Sequence, residues 1–271
     1  MKKVHVLFLL LSFLFMSCSG KKEIIISSSS SDINYSGRID LSNDEVASLS
    51  WPGSSIKINF EGESISALLS DETGDNYYNV IIDNDSVFVL RPENKKQYYL
   101  LASNLSKGPH TVEIFRRTDW GSGLTNFYGF KININAKVLA ISLPKKRKIE
   151  FYGDSITVGA AVEDTSGKDL NDTKYINNYA TYSAITARHF DANYHCIARS
   201  GIGVTVSWDP LIMPEIYDRL VPTDSTSKWD FSLYRPDIVV VNLFQNDSWL
   251  VHLSDHPEFI KRFKNKTPSE A

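Results

Sequence analysis

In Ile56-Lys57-Ile58-Asn59-Phe60-Glu61 apolar and polar residues alternate strictly. A period of two serves a core and water at once only in an extended strand with one face on each. Similar runs recur at Ile65 to Leu69, Tyr77 to Ile82, Ser86 to Leu90, Tyr98 to Ala102, His110 to Arg116 and Phe127 to Ile134. Their connectors are turn chemistry: Pro52-Gly53, Glu61-Gly62, Asp83-Asn84-Asp85 and Lys107-Gly108-Pro109. Many short strands without a helical stretch among them predict an all-β jelly-roll sandwich over residues 33–145. Lys145-Lys146-Arg147-Lys148 then reads as a solvated linker rather than a grip on an anionic polymer. With 29 basic against 32 acidic side chains and a formal net charge of -3, the composition argues against a nucleic-acid binder.

After the linker the period changes. Lys148 to Tyr152 reads as a strand, Tyr175 to Phe190 as a helix, Tyr194 to Ala198 as a strand, Met213 to Leu220 as a helix and Asp237 to Phe244 as a strand. Strands alternating with helices imply a parallel sheet with right-handed crossovers, hence a second, α/β domain over residues 146–271. The continuous β-branched run Ile238-Val239-Val240-Val241 is the pattern of a strand covered on both faces. No strand is predicted after it, so in a 2-1-3 strand order it would be a bare apolar edge, which soluble proteins avoid. The chain is therefore expected to stop within this domain, as a fragment.

At the N-terminus, Lys2-Lys3 followed by the apolar Val4 to Met16 reads as a secretory signal over residues 1–17, too short to span a bilayer comfortably. Ser17-Cys18-Ser19-Gly20 resembles a bacterial lipoprotein cleavage site with Cys18 as the lipidated residue; an ordinary signal peptide with an incidental cysteine is the alternative. The serine run Ser27 to Ser31 makes residues 18–32 a flexible tether. The protein is expected to be exported, on this reading to the periplasm or cell surface as an outer-membrane lipoprotein. With Cys18 lipidated, Cys196 is a lone thiol and no disulfide can form within the chain.

Candidate chemistry sits where the parallel strands end, the place where ligands bind in open α/β sheets. In Phe151-Tyr152-Gly153-Asp154-Ser155-Ile156-Thr157 a sharp turn would expose the Ser155 hydroxyl beside its own N–H, a nucleophile with an oxyanion donor. The alternative is a structural turn in which Asp154 caps the next helix. The second strand ends in Ala198-Arg199-Ser200-Gly201-Ile202-Gly203, where Gly201 is either a close-approach N–H donor or a turn glycine. The third runs into Asn242-Leu243-Phe244-Gln245-Asn246-Asp247, where the Asn246 amide is either a third donor or a loop-satisfying side chain.

Phe151 to Thr157, Ser200-Gly201 and Asn246-Asp247 resemble the first three sequence blocks of the SGNH (GDSL-type) hydrolases. Ala47 to Ile56, Asn79 to Asp83 and His110 to Thr118 resemble the N-terminal jelly roll of carbohydrate esterase family 2, which joins such a domain to an SGNH domain of flavodoxin-like, three-layer α/β/α type. The resemblance covers about Tyr35 to Ala271. It implies removal of acetyl groups from plant polysaccharides and oligosaccharides, with Ser155 as nucleophile, an oxyanion hole of Ser155 N–H, Gly201 N–H and the Asn246 amide, and no metal or organic cofactor. One departure is visible: Phe244 stands where the third block usually has glycine.

A serine nucleophile needs a base, which in this superfamily is a histidine in a late block. Only His252 and His256 follow Asn246, and Asp255-His256-Pro257-Glu258 reads better as a helix start with Asp255 as N-cap. The base is accordingly expected beyond Ala271. Two functions from different classes follow. One is an exported serine esterase acting on acetylated glycans, with Trp208 as a surface on which a sugar ring stacks. The other is a glycan-binding lipoprotein whose hydrolase half is degenerate and whose jelly roll holds sugar on aromatics such as Trp51 or Trp120. A transferase using the same serine is a third reading.

Overall fold

A computed structural model describes residues 23–141, 145–168, 170, 172–264 and 266–271. Cys18, the signal segment and the first residues of the expected tether lie outside the described residues. The first twelve strands, in chain order, are β1 (Glu23–Ser27), β2 (Ile33–Ser36), β3 (Ile39–Asn43), β4 (Val46–Leu49), β5 (Ser55–Glu61), β6 (Ile65–Asp71), β7 (Tyr78–Ile82), β8 (Ser86–Leu90), β9 (Gln97–Ala102), β10 (Pro109–Arg116), β11 (Thr125–Asn133) and β12 (Lys137–Leu139). They form two six-stranded antiparallel sheets. One runs β3-β4-β11-β6-β9 with β1 on β11; the other runs β12-β5-β10-β7-β8 with β2 on β5.

The alternation seen in the sequence is the packing pattern. Ile56, Ile58 and Phe60 of β5 are buried, as are Ile65, Ala67 and Leu69 of β6, and with Val112, Ile114, Phe127 and Phe130 they fill the space between the sheets. Each of the isoleucine, leucine, valine and phenylalanine side chains among them contributes about 1.5–3 kcal/mol when taken fully out of water. Part of the expected tether is structured: Glu23–Ser27 pairs along the edge of β11, from Glu23↔Asn133 to Ser27↔Gly129, and buries Ile26 in the core. Gly129 allows this. It has φ +135, and a Cβ there would stand 2.2 Å from the Ile26 carbonyl oxygen.

The rest of the chain adds β13 (Arg147–Gly153), α1 (Ser155–Val158), α2 (Tyr182–His189), β14 (Ala192–Ala198), α3 (Met213–Ile216), β15 (Ile238–Asn242), α4 (Gln245–Leu250) and α5 (Pro257–Phe263). The strands form a parallel sheet in the order β14-β13-β15. Gly153 is in register with Ala198 on one side and Asn242 on the other, so the three strands end level. Ile149, Phe151, Tyr194 and Cys196 face α2 through Ala184 and Ala187. Ile197 faces the other way, onto Ile202, Met213, Ile216 and Trp51 of the sandwich.

Several expectations are corrected. The helix predicted from Tyr175 begins at Tyr182, because the Thr181 hydroxyl accepts from Ala184 N–H and the preceding residues form two short 3-10 turns. The helix predicted over Met213 to Leu220 is a single turn. α5 is capped by His256, not Asp255. β15, by contrast, is where the sequence placed it: the order is 2-1-3, and the β-branched run lies at the sheet edge with Ile238, Val239 and Val241 exposed. Trp51 offers no surface to glycan, since it is buried with its Nε1–H on Leu220 O at 2.8 Å.

In the sandwich, His110 Nδ1 lies 2.8 Å from Asp83 Oδ2 and Nε2 lies 2.9 Å from Ser106 O. Both partners are acceptors, so only the imidazolium satisfies both, and the Ser106 carbonyl and then Asp83 raise its pKa above the usual 6.5. A folded-state value above the unfolded one gives stability that is complete below about pH 6.5 and is lost as the pH climbs through the folded value. Urea unfolding of the wild type is expected to show a falling midpoint from pH 6 to pH 8.5, and His110→Gln to remove most of that slope. An equal slope in the variant would contradict the assignment.

Candidate functional site

At the end of β13 the Asp154 carboxylate accepts from Ile156 N–H at 3.0 Å and starts α1 with Ser155 as its first residue. The cap reading of Asp154 holds, and the capped turn places Ser155 just beyond the strand end. Asp154 is 1% exposed, and burial raises its pKa even though the Ile156 N–H opposes that. Ser155 is half-buried, and among the described residues neither its N–H nor its Oγ has a hydrogen-bond partner.

At the end of β14, Gly201 has φ +80, the left-handed region in which an L side chain is strained. A Cβ there would also stand 3.2 Å from Trp208 Cβ. Its carbonyl accepts from Trp208 N–H at 3.0 Å, and its own N–H has no acceptor among the described residues. The bend thus leaves one N–H unused beside the level strand ends.

At the end of β15 the chain turns through Phe244 into α4. Asn246 is buried; its Oδ1 accepts from Trp208 Nε1–H at 3.1 Å, and its Nδ2 donates to Ile202 O at 2.9 Å. An amide nitrogen carries two hydrogens, so one remains after the Ile202 bond. The Trp208 bond fixes which end of the amide is nitrogen. Trp208 is 43% exposed and meets the His256 ring edge-to-face at 5.3 Å.

Phe244 has φ +79, the conformation for which glycine is the usual residue. The departure noted in the sequence is therefore a phenylalanine held in the left-handed region. Asp247, the next buried residue of α4, clasps the Gly201 loop: its carboxylate accepts from Val204 N–H at 2.9 Å, Thr205 N–H at 2.6 Å, Val206 N–H at 3.2 Å and the Thr205 hydroxyl at 2.8 Å. Burial pushes its pKa up, but the Thr205, Val204 and Val206 donors outweigh that and hold it below the usual carboxylate range. Asp247 thus ties α4 to the glycine loop through four hydrogen bonds.

The histidines sort by environment. His195 is buried on the other side of the sheet, stacked on Tyr234 at 3.5 Å, and burial pushes its pKa down to about 3. His256 spends Nδ1 on Glu258 N–H at 3.3 Å as the cap of α5, and His252 is exposed. None of the described histidines hydrogen-bonds Ser155. The Cys196 thiol, buried among Tyr194 and Asn178, is pushed up to about 12 by burial and is no nucleophile. No group of three or more His, Cys, Asp or Glu among the described residues is placed to hold a metal ion.

Sequence reasoning missed Asp247 as a clasp, although it is adjacent to Asn246, and missed Asp119 and Arg199 altogether. Arg199 donates to Asp209 at 2.8 Å and to Asp119 at 3.2 Å, and its guanidinium lies over Trp120 at 4.3 Å. Trp120 is therefore covered by an arginine rather than open to a sugar.

The carbohydrate esterase 2 N-terminal family model matches residues 35–141. The chain is 36% identical over 235 residues to the cellulase/esterase CelE of Acetivibrio thermocellus, an alignment covering 86% of this chain and 28% of that protein. It is 28% identical over 258 residues to an acetylxylan esterase/glucomannan deacetylase of Cellvibrio japonicus, covering 91% of this chain and 72% of that one. Among solved structures, a family two carbohydrate esterase from Clostridium thermocellum in complex with cellohexaose superposes with a TM-score of 0.73 at 34% identity, covering 85% of this chain and 74% of that one. One from Cellvibrio japonicus superposes with a TM-score of 0.78 at 25% identity, covering 88% and 77%. The chain thus spans little more than a quarter of CelE's length.

Two substitutions probe the site's framework. Phe244→Gly is expected to raise stability by about 1 kcal/mol, by releasing the positive-φ strain at an exposed side chain. Asp247→Ala is expected to cost about 2–3 kcal/mol, because it leaves buried N–H donors unpaired. Denaturant unfolding of both variants measures these changes; a destabilised Phe244→Gly would refute the strain.

Proposed function

The chain belongs to carbohydrate esterase family 2, and from that membership we propose that it is a carboxylic-ester hydrolase removing O-acetyl groups from plant-type polysaccharides or oligosaccharides. The observation that carries the reading is the set of uncommitted donors at the level ends of three parallel strands: Ser155 N–H, Gly201 N–H and one hydrogen of Asn246 Nδ2. On this reading residues 146–271 are an SGNH-type domain. The named activities of the Acetivibrio and Cellvibrio relatives support the same chemistry.

In the proposed reaction the Ser155 oxygen adds to the acetyl carbonyl carbon as its proton passes to a base. The carbonyl oxygen becomes an oxyanion held by the three donors. Collapse expels the sugar hydroxyl, which takes up a proton, and leaves acetyl-Ser155. Water then adds to the acyl carbon through a second oxyanion and releases acetate. Such preorganised donors are worth on the order of 10²–10³ each in turnover. Trp208, half-exposed beside Asn246, offers its ring as a platform for the sugar. The export and Cys18 lipid anchor expected from the sequence would place this activity at the cell envelope; among the described residues no helix is long and apolar enough to cross a membrane.

A second reading, glycan binding without turnover, is favoured by one observation: Ser155 Oγ meets no histidine among the described residues. That the Clostridium relative is solved in complex with cellohexaose supports glycan binding.

Acetate release from acetylated xylan or glucomannan tests the first reading. Ser155→Ala is expected to abolish it, a loss on the order of 10⁶ in turnover, and equal rates in wild type and variant would refute the serine mechanism. Cellohexaose binding measured by calorimetry on a chain without turnover would establish the second reading.

A further inference from the structure

The strand β10 does not stop at the sandwich surface. It continues as Arg117-Thr118-Asp119 into the second half of the molecule, and Arg116, Arg117, Thr118 and Asp119 are all at most 3% exposed. The four residues are pinned alternately. Arg116 holds the strap from the sandwich side, donating to Leu49 O at 2.7 Å, Gly123 O at 2.7 Å, Asp119 O at 3.1 Å and Thr118 O at 3.2 Å. Arg117 holds it from the other side, donating to Ile176 O at 3.1 Å and to Glu163, while its carbonyl accepts from Asn178 N–H at 3.0 Å. Asp119 is thus a rigidly mounted carboxylate at the end of the strap.

Both of its oxygens are used. Oδ2 accepts from Ser200 N–H at 2.7 Å; Oδ1 accepts from Arg199 at 3.2 Å and from Gly121 N–H at 3.0 Å. Ser200 immediately precedes Gly201. Arg199 is in turn held by Asp209 from the same loop and by Trp120 from the strap's own 3-10 turn. The approach is close, since a Cβ on Gly121 would stand 1.8 Å from an Arg199 nitrogen.

We propose that Asp119 of the sandwich is a positioning residue for the oxyanion hole: its carboxylate fixes the Ser200–Gly201 turn so that the Gly201 N–H is kept free for the oxyanion. The inference rests on the esterase reading for its catalytic meaning, but not for its geometry. It makes the sandwich a structural part of the active site rather than a separable glycan-binding module. The carboxylate is specifically required. An asparagine has one acceptor oxygen, so it would turn an amide N–H toward either Ser200 N–H or the Arg199 and Gly121 donors.

The test uses the full chain and Asp119→Asn, Asp119→Glu and Ser155→Ala variants, with two readouts. Amide exchange and ¹H–¹⁵N spectra follow Ser200 and Gly201; acetate release follows kcat and KM. Asp119→Asn is expected to speed exchange of the Ser200 amide at least tenfold and to shift the Gly201 resonance, with sandwich amides unaffected. It is also expected to lower kcat by about 10- to 100-fold with KM within about twofold, and Asp119→Glu to recover part of the loss.

Unchanged Ser200 and Gly201 amides in Asp119→Asn would overturn the proposal whatever the activity. So would a lost turnover accompanied by loss of protection throughout the sandwich, or failure of both Asp119 variants to fold, since each would make Asp119 a purely structural residue. If Ser155→Ala leaves acetate release unchanged, the esterase reading fails separately, and the amide readout still decides the geometry.

Discussion

Arg38, Arg116 and Arg117 carry positive charge in places that water does not reach, and the molecule is arranged around satisfying them. A buried guanidinium is costly unless most of its donors find acceptors in fixed positions, and here Arg38 Nε is the one nitrogen left without, among the described residues. Arg38, from the sandwich, finds them in the other half: Tyr217 O at 2.6 Å, Arg219 O at 3.1 Å, Glu150 at 3.1 Å and the Tyr152 hydroxyl at 3.0 Å. Arg117 does the same with Ile176 O and Glu163. Separating the halves would leave these groups unpaired on both sides, so neither half keeps its native hydrogen bonding alone. The seam is built mostly from side chain to main-chain carbonyl bonds, which fix distance and direction at once.

That rigidity reaches the candidate site. The three strand ends are level because the parallel register makes them so, but the groups beyond the strand ends are held by carboxylates: Asp154 starts α1, Asp247 clasps the loop after Gly201, and Asp119 holds the Ser200 N–H. Each spends its negative charge on main-chain N–H groups. The N–H groups left without acceptors, at Ser155 and Gly201, are therefore left over by design of the surrounding network. Trp208 completes the set by fixing the Asn246 amide.

Much of this was legible. Strict alternation placed β5, β6, β8 and β10 to within a residue or two, and the change of period at Lys145 to Lys148 marked where parallel strands begin. Ser155, Gly201 and Asn246 were each visible within a few residues of the end of an apolar strand. The misses have a common cause. Glu23–Ser27 read as tether because serine-rich flanks carry no apolar pattern, yet β11 offered it an open edge and Gly129 the clearance. Trp51 read as an exposed platform because local pattern cannot distinguish an aromatic at a domain surface from one at a domain seam. Tyr175 to Tyr179 read as helix because aromatic spacing imitates a helical stripe; in the structure Tyr179 instead packs its ring on Phe115 of the sandwich.

The sequence alone determined most of the strands, the two-part strand organisation and the chemical identity of the groups beyond the strand ends, because period and turn chemistry are properties of neighbouring residues. Only the tertiary structure decided which of those groups are spent and which are free. The Asp119 carboxylate meets the Ser200 N–H across 81 positions, and the Arg38 guanidinium meets Glu150 across 112. Contacts over such separations leave no periodic trace, since they depend on how two halves of the chain dock rather than on how either one folds locally.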